Sequence, residues 1–340
     1  MKTIRLNEPE KWEMLDVPKP AAEQLAPENA LLKVKKIGVC GTDLHAFKGT
    51  QPFFQYPRIL GHELAVEVVA VGEAVDNVKV GDHCSVEPYY NDIIGQAVRR
   101  GKTNCGEHLK VLGVHVDGGM CEYFTYPAKF LHTSSKLSED QLALIEPLAI
   151  GCHAVDRARI KEEDIVLVIG AGPIGLGTAQ FAQLTGARVL VMDIDQNKLK
   201  ICKEITGVKE TLTADSDIKS KLLEILDGDL PTVILDATGS SQSMMKTFDY
   251  VAAGGTIVFI GLFIGDIVFD DPTFHKKEIT LMASRAAMSH DFSKIIQLVE
   301  EGNIDPSTYI THRLKFDQVP SDFEKLYAHG SDLIKAIIEH

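Results

Sequence analysis

Short alternations of apolar and polar residues fill the first third of the chain. Ala30 to Ile37, Leu64 to Val71, His83 to Glu87 and Glu122 to Tyr126 read as half-buried strands broken by glycine and proline. Val71-Gly72-Glu73 and Val80-Gly81-Asp82 read as tight turns, so the stretch up to about Leu131 is expected to be antiparallel and barrel-like. The period changes after Asp140. Gln141 to Ala154 reads as helix, Pro147 marks its start or a kink, and this is the expected hinge between two domains. From Asp164 strands and helices alternate: Ile165 to Ile169, Ile174 to Thr185, Arg188 to Met192 and Gln196 to Glu204. Thr232 to Asp236, Thr256 to Ile260 and Ile279 to Ala283 are expected as further buried strands. Such alternation predicts a doubly wound parallel sheet. In the tail, Asp291 to Glu301 and Asp322 to Ile338 are expected as amphipathic helices flanking a strand at Tyr309 to Phe316, the whole returning onto the first region. The predicted class is α/β, with one domain over 1–148 and 286–340 and a second over 149–285.

At 340 residues the chain exceeds what one core usually serves, in line with two domains. Hydrophobic residues at 45% and charged residues at 24% exclude a disordered or coiled-coil chain. The net charge of −13 repels nucleic acid and anionic membrane surfaces, so neither is an expected partner. No apolar run approaches the roughly 20 residues of a membrane span, and the start Met1-Lys2-Thr3-Ile4-Arg5 lacks a signal-peptide core; a cytoplasmic protein is expected. The six cysteines, Cys40, Cys84, Cys105, Cys121, Cys152 and Cys202, show no disulfide-like spacing and are expected as thiols or metal ligands.

Two constellations carry chemistry. Gly170, Gly172 and Gly175 follow the strand Ile165 to Ile169 and open a helix, with Pro173 and Ile174 between them. Gly170 permits the tight turn, Gly172 lets backbone approach a pyrophosphate, and Gly175 allows close helix-to-strand contact. The next strand ends at Asp193, placed to accept from a ribose 2′-OH and to repel a 2′-phosphate, which favours NAD over NADP. Asp195 competes for that role. The second constellation is Cys40 with Thr42, Asp43 and His45, then Gly61-His62-Glu63, then Glu146. A thiolate, an imidazole and a carboxylate are ligand types that zinc accepts, and a catalytic site holds three of them with one position open. Paired with a dinucleotide site, they point to hydride transfer from a metal-bound alcohol.

On these motifs the chain resembles, over essentially its whole length, the zinc-dependent medium-chain alcohol and polyol dehydrogenases. Gly49 to Glu63, Val111 to Tyr123 and Gly254 to Arg285, including Phe274-His275-Lys276-Lys277-Glu278, are similar to a branch that oxidises L-galactonate at C5 with NAD. The resemblance implies a GroES-like β-rich catalytic domain and a Rossmann cofactor domain. It makes Cys40, His62 and Glu146 the zinc ligands and Glu63 a further or transient ligand. Thr42 becomes the hydroxyl that passes on the substrate proton, His45 the end of that relay, and Asp43 the acid that orients the His62 ring. Many members carry a structural zinc on four cysteines. Here Asp92, Gly95 and Val98 leave Cys105 alone, so one catalytic zinc and no structural zinc are expected, with ion pairs among Arg99, Arg100, Lys102 and Glu107 as substitutes.

The substrate is a small sugar acid or polyol on this reading. Gln51, Phe53, Phe54 and Tyr56 are candidates to line its cleft or simply to fill core, and Arg285 either pairs with a substrate carboxylate or holds the cofactor. His115 and Lys48 are further candidates for the carboxylate. Besides the sugar-acid reading stand a dehydrogenase of neutral polyols such as sorbitol and a catalytically silent NAD-binding protein. A homo-oligomer, dimer or tetramer, is expected, with Thr256 to Leu262 as an edge strand available to a partner.

Overall fold

The longest strand, Asn29–Val39, organises the first part of the computed structural model, which describes residues 1–52, 54–328 and 332–340. One side of this strand takes Glu63–Val71 in antiparallel register. Along the other side, Tyr123–Pro127 pairs with its first half and Lys335–Glu339 with its second. The resulting seven-stranded sheet continues through His83–Val86 and Leu131–Thr133 at one end and Ile310–Lys315 at the other. Leu32, Val34, Ile37, Leu64, Val66 and Ile338 bury their side chains in one cluster with Ile4, Leu60, Met120 and Phe323. Register shifts between Leu31 and Leu32 and between Val34 and Lys36 bend the central strand so that it serves partners on both flanks. By chain contacts this unit comprises Met1–Ala149 and Ala287–His340.

The tail differs from expectation. Asp322 to Ile338 does not form one helix: short helices span Val319–Asp322 and Lys325–Ala328, and Lys335–Glu339 is a strand. Its run Ala336-Ile337-Ile338 is fully buried beside the central strand, and β-branched side chains that pack on both faces of a sheet override the helical spacing. Cys40 to His45 opens a helix: Gly41–Phe47 is helical and Cys40 is its N-cap. Pro147 lies in the first turn of the helix Ile145–Ala158, where its missing N–H costs no hydrogen bond.

The second unit, Ile150–Ala286, holds a six-stranded parallel sheet. Its order is Glu210–Thr213, Arg188–Asp193, Ile165–Ile169, Val233–Asp236, Thr256–Phe259, Thr280–Ala283. Val166, Leu167 and Val168 are wholly buried, as a strand covered on both faces requires. The order reverses direction at Ile165–Ile169, the switch point where doubly wound sheets bind ligands. The α/β class is as expected. Two strand readings are corrected: Thr256–Phe259 is interior and offers no edge, while Thr280–Ala283, expected as buried, is the exposed edge. The interior position follows from hydrogen-bonded neighbours on both sides, which periodicity along one segment does not reveal. Among the described residues no helix is long and apolar enough to cross a membrane.

Candidate metal centre and dinucleotide site

The central strand ends at Val39, and the chain turns directly into the helix Gly41–Phe47. Asp43, in its first turn, reaches back so that Oδ2 accepts the Cys40 N–H at 3.0 Å, which fixes the Cys40 backbone. Gly61, at φ +94°, then turns the chain into the strand that starts at Glu63, with the turn packed against Met120 and Ile37. Cys40, His62 and Glu63 thereby bring one ligand atom each to within 4.8 Å of one another. His62 and Glu63 are buried, at 5% and 1% exposure.

Buried ionisable groups crowd this centre. Burial opposes charging of His62, but the Asp43 carboxylate and the Cys40 thiolate outweigh it and hold the imidazole well above its usual range. Burial raises Asp43, which His62 pulls back down. Glu146, in the first turn of Ile145–Ala158, is pushed up to about 7, chiefly by burial and further by Glu63, with His62 opposing. Its Oε1 accepts a hydrogen bond from the buried Tyr89 hydroxyl. Lys335 donates from Nζ to both oxygens of Glu63, at 2.7 and 2.8 Å.

The donor set fits a divalent cation. His62 Nδ1 and Asp43 Oδ1 are buried, face each other at 3.8 Å and have no hydrogen-bond partner. Cys40, His62 and Glu63 offer a thiolate, an imidazole and a carboxylate, donors that zinc accepts, whereas Glu146, expected as the third ligand, is not in the group at that distance; a cation among them relieves the repulsion of so many buried acids. Of the expected relay, Thr42 sits in the first turn of the same helix and His45 is exposed one turn on, its Nδ1 paired with Thr50 Oγ1 at 3.1 Å rather than with Thr42.

The lobe that keeps only Cys105 of the four cysteines is held by other contacts. Asp92 pairs with Lys110 at 2.7 Å, and Glu107 accepts the Ala97 N–H at 3.2 Å. A side chain at Gly95 would place its Cβ 1.8 Å from Glu107 Oε2, so this carboxylate fills the space beside one of the positions where a cysteine was missed.

In the second unit, Gly170 takes φ +102° after its strand, and Pro173–Leu184 is the helix that follows, with Gly172 as N-cap. Pro173 and Ile174 form its start. A Cβ on Gly175 would lie 1.7 Å from the Gly170 carbonyl oxygen, whereas one on Gly172 would meet nothing within 4 Å. The two glycines therefore differ in kind: one closes the helix on the strand and the other keeps its outer side open. Asp193 Oδ2 accepts the Ala171 N–H at 2.6 Å, which ties the carboxylate to the glycine turn. Asp195 instead caps the next helix, accepting from Asn197 and Lys198. A groove of about 790 Å³ runs past Gly170, Gly172, Asp193, Lys198, Thr238 and Ser243.

Several participants escaped the reading of the sequence. Asp236, fully buried, accepts from Thr238 and Ser243 and shapes the loop that walls the groove; only its place at the end of a parallel strand hinted at this. Tyr89 and Lys335 carry no local motif. Phe54 and Tyr56 stack edge to face at 4.7 Å and pack on the first unit's core, the blander of their two expected roles, while Phe53 lies outside the described residues. Lys48 is engaged by Glu10 and Glu324, and His115 Nδ1 accepts the Val111 N–H. Arg285 is exposed, two residues beyond the last strand.

A centre of this donor set in one unit and a glycine-turn groove in the other define a metal-dependent, dinucleotide-linked oxidoreductase. Family profiles agree: the alcohol dehydrogenase GroES-like domain matches residues 26–136 and the zinc-binding dehydrogenase domain residues 173–301. The chain belongs to the zinc-type medium-chain alcohol and polyol dehydrogenases and is an NAD-linked enzyme of that family. It is 39% identical to L-galactonate-5-dehydrogenase of Escherichia coli (strain K12), over 96% of this chain and 95% of that protein. It is 33% identical to a sorbitol dehydrogenase of Halalkalibacterium halodurans, over 87% and 86%. Among solved structures, an alcohol dehydrogenase (rspB) from Escherichia coli CFT073 complexed with NADH superposes with a TM-score of 0.93 at 28% identity, covering 100% of this chain and 99% of that one.

Proposed function

We propose that the enzyme oxidises a secondary alcohol of a sugar acid to a ketone, with L-galactonate at C5 as the substrate. The observation that carries this reading is the 39% identity to the Escherichia coli enzyme over nearly the whole of both chains. Cys40, His62 and Glu146 hold a single zinc ion, with Glu63 in reserve, and no structural zinc binds the lobe around Cys105. Gly170, Gly172, Pro173, Ile174, Gly175 and Asp193 hold NAD. Bound there, the two groups supply Lewis-acid polarisation of the substrate hydroxyl and a hydride acceptor.

The protein's own part is orientation and proton handling. Asp43 Oδ1 faces His62 Nδ1 at 3.8 Å, placed to orient the ring. Tyr89 occupies one oxygen of Glu146 and leaves the other to bind. Thr42, beside Cys40, accepts the proton released from the substrate hydroxyl. His45, exposed and bonded to Thr50, delivers it to solvent.

Arg285 either pairs its guanidinium with the substrate carboxylate or holds the cofactor, and loss of the guanidinium separates the two. Initial rates of NAD reduction with L-galactonate, other aldonates and sorbitol test this. We expect L-galactonate to be preferred and Arg285→Ala to lower its kcat/KM by about ten- to a hundredfold, the loss of one charged hydrogen bond, with little effect on sorbitol. Preference for sorbitol, with the same loss for both substrates, would replace the sugar-acid reading by the neutral-polyol one favoured by the likeness to sorbitol dehydrogenase.

The enzyme assembles as a homodimer through Thr280–Ala283. Of the two edges of the parallel sheet, Glu210–Thr213 is guarded by the Arg188–Glu210 ion pair, whereas Thr280–Ala283 exposes Leu281. Leu262, Ile264 and Val268, on the segment preceding that strand, are 65 to 68% exposed. An unguarded edge invites a second copy of itself by two-fold pairing. Leu281→Lys is expected to convert a dimer to a monomer in size-exclusion chromatography with light scattering. An unchanged mass would place the interface elsewhere.

A further inference from the structure

The helix that follows Cys40 ends in a way that bears on how His45 handles protons. Gly41–Phe47 closes with Gly49 in the left-handed region, at φ +76°. The Gly49 N–H bonds the Ala46 carbonyl at 3.0 Å and the Thr50 N–H bonds the His45 carbonyl at 2.9 Å, the pair of bonds with which a left-handed glycine finishes a helix. This turn brings Thr50 back beside His45. Its hydroxyl oxygen lies 3.2 Å from the His45 carbonyl oxygen and 3.1 Å from His45 Nδ1.

The two contacts together assign a proton. A threonine hydroxyl has one proton to give, and a carbonyl oxygen only accepts. If the hydroxyl gave its proton to Nδ1, two oxygens with no proton between them would face each other at 3.2 Å. With the proton on the carbonyl side, both contacts are hydrogen bonds and the ring donates from Nδ1 to Thr50 Oγ1. The carbonyl has two lone pairs, enough for the Thr50 N–H and the hydroxyl alike. A neutral imidazole with its proton on Nδ1 carries its lone pair on Nε2. We infer that Thr50 is a positioning residue for proton transfer: it holds neutral His45 as the Nδ1–H tautomer and so leaves Nε2 as the atom that takes up the proton leaving the substrate. The ring gains that proton at Nε2, becomes a cation, and loses the proton to water, which restores the same tautomer. Both residues are exposed, so water is at hand. The inference rests on the relay reading of Thr42 and His45 above.

The test reads the tautomer directly. Enzyme with isotopically labelled histidines is observed by long-range proton–nitrogen correlation NMR above the imidazole titration range, and the His45 signals are identified by their loss in His45→Gln. We expect the Nδ1–H pattern in the unaltered enzyme and in Thr50→Ser, which keeps the hydroxyl, and a shift toward Nε2–H in Thr50→Val. One hydrogen bond corresponds to a change in tautomer ratio of about two- to tenfold. The single-turnover rate of NADH formation, measured with whichever of L-galactonate and sorbitol reacts faster, should fall in Thr50→Val by a similar factor, with KM unaltered, and recover in Thr50→Ser. In the His45→Gln background Thr50→Val should not lower the rate further, because the two act as one unit. A threonine that only finishes the helix would change Tm and leave the tautomer as it is. An Nε2–H pattern in the unaltered enzyme, or an unshifted tautomer in Thr50→Val, would overturn the inference; the first decides even where the variant does not fold. A rate unchanged in His45→Gln would instead sink the relay reading, while the tautomer measurement still decides what Thr50 does.

Discussion

Replacing Cys40 by serine should strip the enzyme of zinc and lower kcat by about 10³-fold or more, with NAD binding intact. Polarisation of the alcohol by a metal contributes several kcal/mol to such a step, and each 1.36 kcal/mol is tenfold in rate. Serine keeps the size and the N-cap position of Cys40 but is a hydroxyl at neutral pH, a poor partner for zinc. NAD is held by other residues, so fluorescence titration with NADH should give an unaltered Kd while metal analysis shows the loss of a single zinc ion per chain. Retained zinc with full turnover would remove Cys40 from the ligand set and reopen the silent NAD-binding reading. Zinc retention in the unaltered enzyme should also depend on pH with a definite sign. In the metal-free protein Glu146 holds its proton up to about 7, and His62 holds its own well above the usual imidazole range. Zinc competes with both protons, so affinity falls as the pH drops through about 7 and rises above it.

Gly175→Ala and Gly172→Ala, three residues apart, should fail in different ways. The Cβ of the first would sit 1.7 Å from the Gly170 carbonyl oxygen, part of the backbone turn itself, so the helix Pro173–Leu184 must move off the strand. Overpacking of this kind costs about 3 kcal/mol, and a loss in Tm of the second unit is expected. The Cβ of the second meets nothing of the protein within 4 Å, so stability should hold. It occupies instead the side from which a pyrophosphate approaches, and KM for NAD should rise by about tenfold or more at unchanged Tm. Equal stability loss in both variants would mean that Gly172 serves the turn and not the cofactor.

The glycine run, the Cys40 and His62 motifs and the alternation of strand and helix were legible because each is local. A turn of positive φ needs glycine, a covered parallel strand needs an unbroken apolar run, and Cys40 and His62 each lie within a few positions of a strand end. These settle the α/β class and the zinc and NAD chemistry. The rest depends on distance in the chain. Lys335 reaches Glu63 across 272 positions and Tyr89 reaches Glu146 across 57, so no window of sequence contains either pair. The helical spacing of the tail lost to sheet pairing because Ala336-Ile337-Ile338 gained a buried slot beside Gly38 and Val39. Thr256–Phe259 and Thr280–Ala283 exchanged their expected interior and edge positions for the same reason: an edge is defined by the absence of a neighbour. The sequence by itself determined the fold class and the kinds of donor and turn on offer; tertiary structure alone decided that Lys335 meets Glu63, since that requires three strands to come together at Gly38.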